Sequence, residues 1–430
     1  MRLHMPGHKG EGPLGIEQLD LTEICGADSL YEADGIIAKS EANASEIFGC
    51  KTYYSTEGSS QCIRAMLYLL VQYAKEMGKK PIVAAGRNAH KTFLTAAALL
   101  DVDVQWLYPK SSASYLSCNL SSQELDEYLK NTMEKPVALY LTSPDYLGMI
   151  ADIEGIAEVC HRHGVLLAVD NAHGAYLRFL PKSLHPICLG ADICCDSAHK
   201  TLPVLTGGAY LHLSPSAEKA VGAQAKNALM IFGSTSPSYL VLQSLDMANV
   251  YLTDYAARLR GLLQKIEEFK QRLRERGYLL HGNEPLKLTI STKPYGYTGN
   301  DFASLLRKEK IEPEFADPDY VVLMLSANMN GEMLDRLYKA FGSIVPLPPI
   351  LFEPPAFVSG EKVTSIREAM LAPSELLLAK ECVGRVLALP TVGCPPAVPI
   401  LVCGERIDEH ALECFKYYGI DKCCVVKHEK

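Results

Sequence analysis

Lys200 stands in Cys195-Asp196-Ser197-Ala198-His199-Lys200-Thr201-Leu202-Pro203, directly after Ala191-Asp192-Ile193-Cys194, a short apolar run that reads as a buried strand. An amine at a strand's carboxyl end, beside a Ser and a His, is placed for chemistry, because open α/β sheets bind ligands at those ends. Upstream, residues 165–170 form a second apolar run that ends on Asp170 and continues into Asn171-Ala172-His173-Gly174. A carboxylate on one strand end and an amine on another suit pyridoxal 5′-phosphate (PLP). The lysine forms an imine with the cofactor, and the aspartate pairs with its pyridinium nitrogen. Taken alone, a lysine such as Lys200 is far more often a solvated loop residue; the paired strand ends turn the balance to the chemical reading.

A second stretch suits the cofactor's phosphate. Tyr53-Tyr54-Ser55-Thr56-Glu57-Gly58-Ser59-Ser60 leads into residues 61–70, which read as a buried helix. Free N–H groups and the helix dipole at such a start favour an anion, and the hydroxyls add donors. An ordinary Ser N-cap is the alternative. Residues 10–15 match G-x-G-x-x-G, but no strand precedes them and no helix opens from them, so a dinucleotide fingerprint is rejected.

Strands are expected at 81–85, 102–107, 137–142, 165–170, 191–195 and 208–213, with helices at 89–100, 122–133 and 153–163. This alternation implies an α/β fold with a mostly parallel, doubly wound sheet. From about residue 237 the pattern changes. Residues 238–273 read as one long amphipathic helix, followed by a smaller α+β unit with strands at 286–290 and 320–325 and helices near 301–308 and 332–341. Pro346-Leu347-Pro348-Pro349 reads as a linker, and the tail carries an expected helix at 374–381. The expected organisation is an N-terminal arm (1–30), a PLP-binding large domain (31–245), a small α+β domain (246–345) and a C-terminal extension (346–430).

The chain has 430 residues, 48% hydrophobic and 21% charged, enough for a sizeable core. A net charge of −8 disfavours nucleic acid as a partner. No apolar run approaches the roughly 20 residues that span a bilayer, and the first nine residues lack the apolar core of a signal peptide. The 14 cysteines show no C-x-x-C spacing. Reduced thiols, a cytoplasmic location and no bound metal are therefore expected. His161 and His163 flank a helix end and read as solvent-exposed.

Four motifs, in order, carry a resemblance: Pro6-Gly7-His8-Lys9, Asn88-Ala89-His90-Lys91, Asp170-Asn171-Ala172-His173-Gly174 and Ser197-Ala198-His199-Lys200-Thr201-Leu202. Together they resemble the ornithine/lysine/arginine decarboxylases of the aspartate-aminotransferase-like fold (fold type I), in the short form without an N-terminal wing. The resemblance implies that Lys200 holds PLP and Asp170 bonds its ring nitrogen. It implies that His90 stacks on the ring, that Ser59, Ser60 and Ser197 bind the phosphate, and that His199 lies near substrate or phosphate and helps proton transfer. Gly58 and His173 complete the expected cofactor-binding set. It also implies a homodimer or larger homo-oligomer. The chain departs from the family at Glu57 (usually Asn), Asn171 (usually Glu), Gly207 (usually Gln) and Ala397 of Cys394-Pro395-Pro396-Ala397-Val398-Pro399, where the family has Tyr-Pro-Pro-Gly-Ile-Pro. An extra carboxylate at Glu57 is unfavourable beside a phosphate unless it points away. Restoring Glu at position 171 is expected to be tolerated.

The expected function is PLP-dependent decarboxylation of arginine, lysine or ornithine to the amine and CO₂. Two alternatives stand beside it. One is a PLP aminotransferase or lyase, in which Arg385 or Arg406 would clamp the α-carboxylate. The other is a degenerate PLP-fold protein without turnover.

Overall fold

A computed structural model describes residues 1–108, 114–357, 359–391 and 395–427. Cys394, with Val392 and Gly393, lies outside the described residues. The chain divides into two compact units: 1–85, 121–143 and 152–256 form the first, and 86–120, 144–151 and 257–430 the second.

In chain order the sheet strands are β1 (Lys51–Ser55), β2 (Ile82–Gly86), β3 (Asp103–Leu107), β4 (Ala138–Thr142), β5 (Leu166–Asp170), β6 (Ile193–Asp196) and β7 (Ala209–Leu213). The helices among them are α1 (Ile36–Phe48), α2 (Gly58–Glu76), α3 (Lys91–Leu100), α4 (Ser122–Asn131), α5 (Ile153–Arg162) and the short α6 (Ala198–Thr201). In the first unit the strands stand in the order β1-β7-β6-β5-β4-β2. β2, β4, β5 and β6 pair in parallel, while β7 runs antiparallel to both β6 and β1. The sheet is therefore mixed at one side and parallel where the Asp170 and Lys200 segments leave it. β6 and β7 are buried at every residue, the pattern of strands covered on both faces. The unit closes with α7 (Pro215–Val221), α8 (Ala225–Ile231) and α9 (Tyr239–Tyr251).

The expected single helix over 238–273 is two: α9 ends at Tyr251, and α10 (Tyr255–Glu275) begins after Thr253-Asp254. A β-branched residue followed by an Asp, which competes for backbone hydrogen bonds, suits such a break. The second unit also holds α3 and β3. It then carries β8 (Leu279–His281), β9 (Lys287–Ser291), α11 (Gly299–Lys308), β10 (Phe315–Ala316), β11 (Tyr320–Met324) and α12 (Gly331–Ser343), with an antiparallel sheet in the order β10-β11-β9-β8. Beyond these come α13 (Ile366–Leu371), β12 (Ser374–Leu378), α14 (Glu409–Tyr417) and β13 (Lys422–Val426), β12 and β13 pairing antiparallel. The expected helix at 374–381 is thus a strand plus one 3₁₀ turn.

Candidate active site

Two parallel neighbours set the geometry. β5 and β6 pair with Asp170 opposite Cys195, so the turns after both strands leave the same edge of the sheet. The Asp170 side chain is buried. Its Oδ2 accepts from the Tyr140 hydroxyl at 3.1 Å, and its Oδ1 accepts from the Ala172 N–H at 3.1 Å. Burial pushes its carboxyl pKa up, and the Lys200 amine works against that shift. A desolvated carboxylate of this kind is a receptor for a cation.

From the neighbouring turn, Ser197 leads into α6, which carries His199 and Lys200. Lys200 Nζ lies 3.0 Å from His173 Nε2, so the turn after β5 positions the amine delivered by the turn after β6. His199 Nδ1 lies 3.0 Å from the Gly208 carbonyl oxygen. A carbonyl can only accept, so Nδ1 carries the proton and Nε2 is left as the acceptor of the neutral ring. Burial lowers the His199 pKa and favours that neutral form, with the Lys200 charge adding to the shift.

The start of α2 lies beside this group. Ser197 Oγ donates to Ser59 Oγ at 2.7 Å, joining the two expected phosphate segments directly. Gly58 opens the helix at φ +73°, and its N–H donates to the Gly207 carbonyl at 2.7 Å. Gly207 has φ +99°, and a Cβ there would stand 2.6 Å from the Thr56 carbonyl oxygen. Glycine is therefore what this approach admits, which accounts for the departure at 207. Thr56 Oγ1 is buried without a hydrogen-bond partner. Glu57 does not crowd the helix start: it is exposed, and its carboxylate accepts from the Ser234 N–H.

Asn171 points away from the expected cofactor position. It is fully buried, and its Nδ2 donates to Asp196 Oδ1 at 2.7 Å. Neither the Asp196 cluster nor Tyr140 was legible beforehand, because which strands stand side by side is not written in local sequence. His90 belongs to the second unit, where it N-caps α3 with Nδ1 accepting from the Thr92 N–H at 3.1 Å. Of the expected residues, the first unit thus brings together Asp170, His173, Ser197, His199, Lys200, Gly58 and Ser59, with Ser60 one residue further along α2. His163 departs from expectation: its ring is mostly covered and lies 2.8 Å from the Asp126 carboxylate.

The sequence profile of the Orn/Lys/Arg decarboxylase major domain matches residues 15–289. The chain belongs to the Orn/Lys/Arg decarboxylase family. It is 30% identical to YaaO of Bacillus subtilis over 95% of this chain and 89% of that protein. It is 29% identical to an arginine decarboxylase of Halalkalibacterium halodurans over 96% of this chain and 89% of that protein. The constitutive lysine decarboxylase of E. coli superimposes with a TM-score of 0.78 at 18% identity, covering 99% of this chain and 80% of that one. That likeness bears on the fold: a fold type I architecture with a large, mostly parallel sheet. Among the described residues no helix is long and apolar enough to cross a membrane.

Proposed function

We propose that this member of the family is a PLP-dependent decarboxylase of a basic amino acid, arginine, lysine or ornithine, yielding the corresponding amine and CO₂. The observation that carries the reading is the pairing of Asp170 and Lys200 on adjacent parallel strand ends, with the amine 3.0 Å from His173. The residues fit the cofactor. A buried carboxylate with a raised pKa suits a pyridinium. The start of a 19-residue helix, with the helix dipole, the Ser59 and Ser197 hydroxyls and an unpartnered Thr56 hydroxyl beside it, suits a phosphate.

PLP, when bound, supplies an electron sink for the pair left by CO₂. This chain's residues do the rest. Lys200 would hold the cofactor through its amine and would supply a proton from Nζ. Asp170 would pair with the ring nitrogen, and Tyr140 and the Ala172 N–H hold that carboxylate in place. His173 aims the lysine. His199, with Nδ1–H held by the Gly208 carbonyl, presents Nε2 as an acceptor and would help move a proton. His90 remains the proposed ring-stacking residue.

The aminotransferase alternative loses its clamp. Arg385 donates to Glu375 and to the Val426 carbonyl, and Arg406 donates to Glu361 and the Gly384 carbonyl. The test is to incubate purified protein with PLP and each basic amino acid and measure CO₂, then fix the cofactor with borohydride and map the modified peptide. Release from at least one substrate with labelling at Lys200 is expected. Labelling at another lysine, or no release from any of the three, overturns the reading.

A further inference from the structure

Asp196 ends β6 with its side chain wholly out of solvent. Its Oδ2 accepts from Nε2 of both His185 and His212, each at 3.1 Å, and both rings are fully buried. Behind it, His212 Nδ1 meets Thr52 Oγ1 at 2.9 Å. Its Oδ1 accepts the Asn171 amide at 2.7 Å and faces Cys194 Sγ at 3.7 Å. Burial pushes the Asp196 carboxyl up, but the two histidines outweigh it and hold it well below the usual carboxylate range. Burial drives His212 toward its neutral form, which still offers Nε2–H to the carboxylate. The ligand atoms of His185, Cys194 and Asp196 lie within 4.8 Å of one another, close enough for a metal. Yet both Asp196 oxygens already carry protein hydrogen bonds, at distances those bonds alone explain.

The chain positions of the partners give the cluster its meaning. Asn171 lies between Asp170 and the turn bearing His173, and Asp196 adjoins Ser197 four residues before Lys200. The Asn171 N–H also donates to the Cys195 carbonyl at 2.9 Å. The chemistry asks for a carboxylate, because only an ionised acid accepts at both oxygens and so takes imidazole and amide donors together. An acceptor-only partner forces Asn171 to present its NH₂ group, and its Oδ1 then packs on Gly174, where a Cβ would fall 1.9 Å away.

We infer that Asp196 is a positioning residue: its buried carboxylate, held by His185 and His212, fixes the Asn171 amide and so locks the turn carrying Asp170 and His173 to the turn carrying Ser197 and Lys200. This inference rests on the function proposed above and names a residue that acts through others.

The test uses Asp196→Asn, Asn171→Asp and the double swap Asn171→Asp/Asp196→Asn, which reverses donor and acceptor while keeping one carboxylate and one amide. Cofactor content is read from the visible band and from borohydride labelling of Lys200. kcat and KM are measured per bound cofactor, and thermal unfolding is followed on cofactor-free protein. Each single variant is expected to lose about 100-fold in kcat per bound cofactor, the scale of a small misplacement of reacting groups, with KM little changed. The swap is expected to recover to within about 5-fold and to regain the unfolding temperature lost by the singles, as coupled neighbours do. A purely structural Asp196 would lower cofactor content and unfolding temperature while leaving kcat per bound cofactor intact, and that result overturns the inference. So does a swap no better than the worse single, or a swap that does not fold. If a single does not fold, the swap carries the comparison with wild type. Wild type that binds no cofactor and releases no CO₂ brings down the proposed function itself; active wild type matched by Asp196→Asn brings down the inference alone.

Discussion

At the scale of single residues, the four departures from the family pattern each have a physical account or a physical cost. Glu57 turns to the Ser234 N–H. Gly207 is required by its φ and by the Thr56 carbonyl. Asn171 serves Asp196. Ala397 is the costly one: it is fully buried at φ +56°, where the family has glycine, and its carbonyl accepts the Lys91 N–H at 2.7 Å. A left-handed alanine costs about 1 kcal/mol, so Ala397→Gly should raise the unfolding temperature without changing kcat, as calorimetry and CO₂ release would register. Asp170 works the other way. Its raised pKa means the native state holds that proton more tightly than the unfolded chain does, so the ionised carboxylate costs stability above the folded pKa and the cost fades as pH falls through it. Cofactor-free Asp170→Asn should therefore unfold at a higher temperature than wild type near pH 8, the gain shrinking on acidification. With PLP bound, the same variant should lose on the order of 5 kcal/mol of transition-state stabilisation in kcat, because the ring nitrogen no longer keeps its proton. An unchanged kcat would remove Asp170 as the ring's partner.

At the scale of elements, what sequence made legible was the strand ends. Apolar runs ending on Asp170 and on Cys195 stand out locally, and the structure places them side by side. What stayed hidden was pairing between distant segments. β1 and β7, an antiparallel pair, give the parallel sheet a mixed edge. β12 is Ser374-Glu375-Leu376-Leu377-Leu378, a helix-favouring composition that becomes a strand because β13 lies beside it. α1 escaped because its buried face includes Ser40 and Glu41, which break the apolar period. The same blindness misled the expectation at position 171. Considered alone, Asn171→Glu restores a family residue. In the structure it would set a second carboxylate against Asp196 in a fully buried place, where like charges cannot both ionise. Asn171→Glu alone should lower the unfolding temperature by several degrees and reduce cofactor-bound activity, and adding Asp196→Asn should relieve much of both. A single variant as stable and active as wild type would show that the pair is not coupled.

At the scale of the whole molecule, the question is how many copies of the chain make the working protein. The first unit leaves large apolar side chains in solvent: Ile36 at the start of α1, and Met247 and Val250 three residues apart on one face of α9, the last two at 64% and 66% exposure. Scattered exposed apolar residues are ordinary, but a pair at helical spacing that covers nothing is the kind of surface a second copy buries. Association of at least two 47.1 kDa chains is the expected state of the purified protein. A charge on that face should oppose it, since burying an unpaired carboxylate costs several kcal/mol. Met247→Glu/Val250→Glu should therefore move the light-scattering mass toward that of one chain, while each chain keeps its helical content. If wild type is already a stable, active monomer, the exposed face of α9 has no partner to lose. If the double variant stays associated, the contact between copies lies elsewhere on the surface.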